Sequence, residues 1–432
     1  MRKKVFHFGK KVLTHELISG SFYLFIAVIL SGFFAFLLNL FFARSLTKPD
    51  YGIYASLLSL ITLLTIPASS LTPIVVRFAG DYYAKGEEAK LKKFYIKMTK
   101  FIVFLAIGIF FIFLIVSPLI KNFLKLDNFL YIPLVGFITA TSYLTIVNNG
   151  FLQGLLKFPF VAFTQISGAI FRILAGVVLI FLGFKVFGAV WASFFSFLLV
   201  FILGFIPLRF LFKKSNDIGV KVPVRELMNY AVPATIAIFC LSSFISTDVI
   251  LVKHFFNPVQ AGLYGGMSLI GKVIFYFTAP IPTVMFPLLI KRHAKNQSYS
   301  RLFYLSLLLV IIPSFLISGF YFLLPAFTTK FFLGKGYEAI IPFVGIFGAY
   351  IGVFSLLNVC VNLFLSLKKT FVYVPVLIGS ILQVGLIYLF HSNFYQVIFV
   401  SMSISGLLFL GLLSYFIFGT KGFTSLENKV YS

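Results

Sequence analysis

The stretch ARSLTKPDYGIYASLLSL, residues 43–60, decides the fold because part of it occurs again farther along the chain. Residues 51–54 (YGIY) are echoed by residues 261–264 (AGLY) at a spacing of 210 residues. Each copy follows a short polar loop that contains a proline and precedes a long apolar run. This pairing predicts a membrane protein that arose by duplication.

The composition indicates the same class of protein. Hydrophobic residues make up 60% of the 432 residues, charged residues only 11%, and the mean hydropathy is +1.05. A soluble domain cannot accommodate such a chain, so we predict an all-α polytopic membrane protein. Most of the 36 Lys and Arg residues fall in alternate loops, which makes the net charge of +25 a topology signal and an attraction to anionic lipid. A nucleic-acid partner is not predicted.

Apolar runs of about 20 residues divide the chain into about twelve transmembrane helices. The run after the basic N-terminus is too long for a signal-peptide core, so it is counted as the first span. The predicted spans lie near residues 19–42, 53–77, 101–120, 129–151, 159–182, 187–211, 229–251, 260–290, 302–326, 338–366, 371–390 and 393–418.

Six spans in each half predict two six-helix lobes in the same orientation, related by a pseudo-twofold axis along the membrane normal. The predicted parts are an N-terminal lobe (1–212), a cytoplasmic connector (213–228), a C-terminal lobe (229–420) and a cytoplasmic tail (421–432). Prolines interrupt the second span of each lobe, at Pro67 and Pro73 and at Pro280, Pro282 and Pro287. We expect these two spans to bend.

Two polar ladders occupy corresponding spans of the two halves. The spacing of 3, 4 and 4 residues places each ladder on one helical face. The ladders are Ser142, Thr145, Asn149 and Gln153 in one half, and Ser355, Asn358, Asn362 and Ser366 in the other. They indicate either hydrogen bonding between helices or the wall of a hydrophilic cavity, and the sequence leaves both open.

Two cations fall inside predicted spans, Arg172 and Lys272. A cation at this depth costs about 2.5–3.5 kcal/mol on insertion scales, so it normally faces a cavity or a partner. One of them pairs with Asp248 as a structural lock, or both line a cationic cavity together with Arg77. Cys240 and Cys360 lie in apolar runs and behave as small hydrophobes, so we predict no disulfide, metal site or cofactor.

These features resemble the polysaccharide biosynthesis flippase family, the Wzx-type O-antigen or exopolysaccharide transporters of the multidrug/oligosaccharidyl-lipid/polysaccharide (MOP) exporter superfamily. The resemblance covers nearly the whole chain and depends on the order and spacing of short motifs. These motifs are residues 43–46 (ARSL), 50–54 (DYGIY), 73–77 (PIVVR), 152–154 (LQG), 247–248 (TD) and 261–264 (AGLY). The resemblance implies a two-lobed, V-shaped bundle like that of the multidrug-extrusion (MATE) transporters.

The resemblance also implies a flippase that moves polyprenyl-pyrophosphate-linked oligosaccharides across the cytoplasmic membrane by alternating access, with both termini in the cytoplasm. Its expected partners are this lipid-linked substrate and membrane lipids, and other polysaccharide-assembly proteins are an open addition. We expect Asp248 to act as an ion-coupling group or charge partner. The predicted substrate-binding residues are Arg172, Lys272, Arg77, Asn149, Gln153, Asn358 and Asn362.

Four other classes of protein remain as alternatives. A MATE-type drug/cation antiporter should carry a carboxylate within its N-terminal spans, and the predicted spans 1 to 6 contain none. A lipid II flippase should carry two further helices. A membrane glycosyltransferase or polysaccharide polymerase should carry a large loop with paired carboxylates, whereas a scaffold would not need buried cations. The glycan, the driving force and the oligomeric state stay open.

Overall fold

The computed structural model describes residues 2–69, 71–212, 224–294 and 299–419, which form helices and turns without a β-strand. Three short 3-10 helices occur at Ile206–Phe212, Glu338–Ile340 and Thr370–Val372. The α-helices of this part are α1 (Arg2–Ser45), α2 (Lys48–Ser69), α3 (Thr72–Ala84), α4 (Glu88–Phe123), α5 (Tyr131–Gly154), α6 (Phe158–Phe181), α7 (Lys185–Phe205), α8 (Val224–Phe244), α9 (Thr247–Phe255), α10 (Pro258–Thr278), α11 (Pro280–Ala294), α12 (Ser300–Leu323), α13 (Pro325–Leu333), α14 (Ile341–Ser366), α15 (Tyr373–Leu389) and α16 (Phe394–Gly419).

The helices confirm the predicted all-α membrane fold. Across the described ranges, eleven helical runs are long and apolar enough to cross a membrane. The bent pair α8 and α9, which turns by 46° between Phe244 and Thr247, makes twelve if it is counted as one span. Each of the twelve predicted spans corresponds to one of these runs or to the bent pair.

The predicted proline breaks coincide with helix boundaries. Pro67 lies near the end of α2 and Pro73 in the first turn of α3, while Pro280 begins α11 directly after α10. Proline has no backbone N–H and clashes with the preceding turn, so an α-helix stops or bends there. The second span of each half is therefore built from two helices, α2 with α3 and α10 with α11.

By their internal contacts, the residues fall into two compact units. Unit 1 comprises residues 1–46 and 64–228, and unit 2 comprises residues 47–63 and 229–432. Residues 47–63 thus group with the C-terminal half, whereas the predicted boundary places them in the N-terminal lobe. Residues 213–223 of the predicted connector and the predicted tail 421–432 lie outside the described residues.

The helix that follows each polar loop is capped at its start by side-chain hydrogen bonds. At the start of α2, the Thr47 hydroxyl accepts a hydrogen bond from the Asp50 backbone N–H and donates one to its carboxylate. At the start of α10, Asn257 and Gln260 form the corresponding reciprocal capping box. Such boxes satisfy N–H groups that lack partners in the first helical turn. The helix starts that precede residues 51–54 and 261–264 are therefore both capped by side chains.

Glycine allows these two helix starts to meet backbone to backbone within unit 2. A Cβ atom added at Gly52 would lie 2.8 Å from the Gly262 backbone nitrogen, and one added at Gly262 would overlap the Lys48 carbonyl. The Lys48 ammonium lies 3.5 Å from the centre of the Tyr337 ring, a cation–π contact. These contacts explain why residues 47–63 belong to unit 2.

We expect Gly262→Ala to destabilise the protein, because the new methyl group would meet backbone atoms that cannot turn away. Overpacking of this kind costs about 1–3 kcal/mol. The thermal midpoint of the detergent-solubilised protein, followed by loss of the monodisperse chromatographic peak, should fall by several degrees.

Gly319→Ala is the matched control, since nothing lies within 4 Å of a Cβ atom at Gly319 in α12. Its midpoint should stay at or slightly above that of the native protein. Equal midpoints for the two variants would contradict the close approach at Gly262.

Candidate functional site

A cavity of about 390 Å³ lies within unit 1, enclosed by α1, α5, α6 and α7. One wall is apolar and includes Leu38, Phe197 and Val200. No Asp or Glu is among the lining residues. The polar lining residues are Ser31, Thr145, Asn149, Gln165, Arg172, Ser193 and Ser196. The cavity is thus rich in hydrogen-bonding groups and carries a single charged side chain.

Arg172 on α6 supplies that charge. Its Nε and Nη2 atoms are buried, and neither finds a hydrogen-bond partner within the described part of the chain. A buried cation without a partner is costly, because the surrounding protein and lipid replace little of the lost hydration. The arrangement suits a cavity that receives a negatively charged group.

Small residues hold α6 close to its neighbours on both sides of Arg172. A Cβ atom at Gly168 would overlap Val200 of α7, and one at Gly176 would lie 2.7 Å from the Phe42 ring of α1. The Ser196 hydroxyl also donates a 2.8 Å hydrogen bond to the Gly168 carbonyl. The guanidinium is therefore carried by a helix that is fixed against both α1 and α7.

The N-terminal ladder has a mixed role. Ser142 and Thr145 donate to carbonyls of their own helix, at 2.6 and 2.7 Å, although Thr145 also lines the cavity. Asn149 lines the cavity beside Arg172. Gln153, one turn farther along α5, is not among the lining residues.

Asn148, which the sequence pattern did not single out, holds the helices of unit 1 together. Its side-chain oxygen accepts a 2.8 Å hydrogen bond from the Tyr95 hydroxyl of α4, and its amide donates 3.0 Å to the Phe201 carbonyl of α7. Gly204 leaves room for it, since a Cβ atom there would lie 2.8 Å from the Asn148 Cβ. Asn148 thus bonds to neighbouring helices, whereas Asn149 lines the cavity.

The remaining predicted residues lie away from this cavity. Arg77 is exposed on α3 of unit 1. In unit 2, Asn362 of α14 donates to the Asn358 carbonyl and side-chain oxygen at 2.8 and 2.9 Å. Lys272 lies on α10 and is partly exposed.

Asp248 sits fully buried at the break between α8 and α9 in unit 2. Its carboxylate accepts a 2.9 Å hydrogen bond from the Tyr264 hydroxyl and a 2.8 Å hydrogen bond from the Val249 backbone N–H. The Lys272 ammonium, on the same helix as Tyr264, attracts this carboxylate electrostatically. The structure thus gives Asp248 a hydroxyl donor and a nearby cation in its own unit.

The Phe244 backbone carbonyl, which the break between α8 and α9 exposes, also accepts hydrogen bonds. Phe244 O accepts hydrogen bonds from the Tyr350 hydroxyl and, at 2.9 Å, from the Gln383 amide. The Gln383 amide also donates a 2.9 Å hydrogen bond to the Ser401 hydroxyl. The bend therefore has partners on α14, α15 and α16.

Four polar lining residues of the unit 1 cavity lie outside the predicted site. Ser31 is a lone serine in the apolar run of α1, Gln165 lies two turns before Arg172 on α6, and Ser193 and Ser196 are three residues apart on α7. The spacing of Ser193 with Ser196 and that of Gln165 with Arg172 are helical signals, but the rotation of α6 and α7 is needed to assign them to the cavity. Across the described ranges, no group of three or more His, Cys, Asp or Glu residues is placed to hold a metal ion.

Comparisons with known proteins agree with this fold. The family model described as "Polysaccharide biosynthesis protein" matches residues 17–293. An uncharacterized membrane protein of Methanocaldococcus jannaschii is 26% identical over 292 residues, which cover 63% of this chain and 67% of that protein. The match confirms the family resemblance inferred from the sequence motifs.

Solved structures of MOP superfamily transporters share the fold. An inward-facing multidrug resistance MATE family transporter has a TM-score of 0.68 at 13% identity, covering 91% of this chain and 95% of that chain. The MATE multidrug transporter DinF-BH has a TM-score of 0.67 at 16% identity, covering 94% and 96%. A MOP superfamily transporter from Pyrococcus furiosus gives 0.61 at 12%, covering 91% and 95%. At these identities the likeness shows the two-lobe transporter fold.

We expect Asn148→Ala to lower the stability of unit 1 and Asn149→Ala to leave it unchanged. The first substitution removes the hydrogen bonds that Asn148 forms with the Tyr95 hydroxyl and the Phe201 carbonyl, each worth about 0.5–1.5 kcal/mol. The thermal midpoints of the two purified variants check this. A similar fall for both variants would contradict the division of roles between the two residues.

Proposed function

Because the chain belongs to the polysaccharide biosynthesis protein family, we propose that it translocates polyprenyl-pyrophosphate-linked oligosaccharides across the cytoplasmic membrane. These lipids are the precursors of cell-surface polysaccharide. Family and fold are those of multi-pass membrane transporters. In this proposal both termini lie in the cytoplasm, and the substrate crosses by alternating access with its lipid tail in the bilayer.

The observation that carries the proposal is that Arg172 is the single charged residue among the lining residues of a cavity that no carboxylate lines. Arginine binds phosphate oxygens strongly because its N–H groups form a planar fork that matches them. In a cavity within apolar spans, this attraction is less screened than in water. A lipid-linked pyrophosphate has the charge and the oxygen geometry that Arg172 can recognise.

The neutral polar groups of the cavity suit the sugar part of the substrate. Asn149 and Gln165 each offer an amide with two donors and an acceptor, and Thr145 offers a hydroxyl. We assign Asn149 and these neighbours to contacts with sugar hydroxyls. Such contacts are generic, so the shape of the cavity would have to select the glycan.

The proposal also gives roles to the predicted residues that do not line this cavity. In unit 2, Lys272, Asn358 and Asn362 are proposed as further contacts to the head group, as are Arg77 and Gln153 in unit 1. The bond between the two asparagines would open to accept a sugar hydroxyl. Asp248, with Tyr264 and Lys272 nearby, is the proposed ion-coupling group or charge partner in unit 2.

The charge of the cavity favours this substrate over the cationic drug of an antiporter. A drug cation entering the unit 1 cavity would meet the Arg172 guanidinium and no carboxylate among the lining residues. A membrane glycosyltransferase or polymerase is disfavoured because the family and the fold are those of transporters. The proposed partners are the lipid-linked oligosaccharide and membrane lipids.

We expect Arg172→Ala to reduce translocation of a labelled polyprenyl-pyrophosphate oligosaccharide in proteoliposomes by about tenfold to a hundredfold. The loss follows from about 1.5–3 kcal/mol for a charge-assisted hydrogen bond, with tenfold for each 1.4 kcal/mol. Arg172→Lys should retain part of the activity, since the charge remains while the fork is lost. The measurement is the fraction of lipid accessible in the outer leaflet over time.

Arg209→Gln is the matched control, because Arg209 is an exposed arginine of unit 1 that does not line the cavity. It should translocate the lipid at the native rate. A cationic dye serves as a parallel substrate. Movement of the dye without movement of the lipid would overturn the proposed function and favour the antiporter.

A further inference from the structure

An open groove of about 590 Å³ lies on unit 1, separate from the cavity described above. Four of its lining residues belong to the start of α6 and one to the 3-10 helix at Ile206–Phe212 that follows α7. The lining residues are Lys157, Pro159, Phe160, Phe163 and Pro207. Aromatic and proline side chains thus make the groove apolar, and among the lining residues only Lys157 is charged.

The groove lies where the ends of three membrane-crossing runs meet. α5 ends at Gly154 and α6 begins at Phe158, so the short connection between them stays on one side of the membrane. The Lys157 ammonium donates a 2.9 Å hydrogen bond to the Pro207 carbonyl, which brings the end of the third run to the same place. The groove is therefore at the level of the membrane surface.

Packing of the 3-10 helix fixes the wall that Pro207 forms. Leu208 and Leu211 are three residues apart, a spacing that places them on one face of a 3-10 helix. Both are buried in one hydrophobic cluster with Leu91 and Phe94 of α4. The groove is thus a preformed feature of unit 1.

The groove opens towards the lipid. Phe163 is 52% exposed and begins a stripe of exposed apolar residues at spacings of 7, 4, 4 and 3 along α6, which places them on one helical face. The other members of the stripe are Ile170, Leu174, Val178 and Phe181. Because hydrocarbon surrounds a membrane span, this face contacts lipid tails. An acyl chain can therefore run from the groove along α6.

The charge around the groove complements an anionic head group. An ammonium has three N–H bonds, and that of Lys157 uses one of them for the Pro207 carbonyl. Residues 128–216 contain no Asp or Glu, and the adjoining segment 77–100 contains seven Lys and Arg against three Asp and Glu. Basic pockets between membrane helices bind the head groups of anionic lipids.

We infer that this groove binds one anionic phospholipid of the bilayer, with an acyl chain against Phe160, Phe163 and Pro207 and the phosphate beside the Lys157 ammonium. The bound lipid bridges the start of α6 and the 3-10 helix. This site differs from the diffuse attraction of basic loops to anionic lipid, because one lysine recognises one head group. The inference is independent of the substrate that the protein translocates.

The test places a tryptophan in the groove and uses phospholipids with brominated acyl chains, which quench tryptophan fluorescence on contact. Phe163→Trp is made together with Trp191→Phe, since Trp191 is the single native tryptophan. The full-length protein is reconstituted in mixtures of phosphatidylcholine and phosphatidylglycerol in which one or the other is brominated. Phosphatidylglycerol should bind at this reporter about fivefold more tightly, as expected for one lysine near an anionic head group.

Substitutions of lysine separate the charge of Lys157 from its structural role. Lys157→Gln should reduce the ratio of the two affinities to about one, whereas Lys157→Arg should retain about fivefold, because the charge remains. Lys185→Gln is the matched control. It removes the same charge from an exposed lysine at the start of α7, beyond the far end of α6, and should leave the ratio unchanged.

A second reporter tests whether the preference belongs to the groove. Leu174→Trp, again with Trp191→Phe, lies on the same face of α6, three turns beyond Phe163. At this depth the tryptophan meets acyl chains far from Lys157, so the ratio should be about one. A preference of the same size at both reporters would contradict a defined site.

Several other outcomes would overturn the site. Equal affinities of the two phospholipids at position 163 would do so, as would a preference that survives Lys157→Gln. An equal loss of preference in Lys185→Gln would reveal an effect of net charge alone. Relief of quenching by added polyprenyl-pyrophosphate oligosaccharide would assign the groove to the tail of that lipid instead of a phospholipid.

Discussion

Hydrogen bonding of the backbone in an apolar environment is the constraint on which the rest of this structure depends. A helix satisfies its own carbonyls, but every break exposes some that water cannot reach. In unit 1, the Tyr143 hydroxyl donates a 3.1 Å hydrogen bond to the Leu64 carbonyl in the second half of α2. In unit 2, Tyr350 and Gln383 donate to the Phe244 carbonyl at the bend. The bend at Phe244 is therefore held by side chains from other helices.

The same constraint applies to the polar side chains of the spans, which also need hydrogen-bond partners. Buried polar atoms are normally paired, so each one that is not paired needs an explanation. Asn148 and Asp248 are paired inside the protein and support its packing. Two guanidinium nitrogens of Arg172 are not paired among the described residues, and Arg172 lines the unit 1 cavity. The contrast separates residues that hold this transporter together from residues that are free to receive a substrate.

The sequence was sufficient for the fold and only partly sufficient for the site. Spans follow from hydropathy over some 20 residues, and breaks follow from prolines such as Pro67, so both could be predicted. Asn148 and Asn149 are chemically identical neighbours, and only the rotation of α5 against α4 and α7 decides which one packs. Ser31 is a single hydroxyl in an apolar run, and only the packing of α1 against α6 places it in the lining of the same cavity as Arg172. Such convergence of helices leaves no local signal in the chain.

The grouping of residues 47–63 with the C-terminal half has a consequence for biosynthesis. This segment leaves the ribosome long before α10, whose start it meets through Gly52 and Gly262. Unit 2 is therefore not a continuous piece of polypeptide, and its assembly must wait for a helix made early to meet one made late. A C-terminal fragment cut at the connector would lack the surface that covers Gly262. The N-terminal and C-terminal halves of the sequence therefore do not coincide with the two compact units.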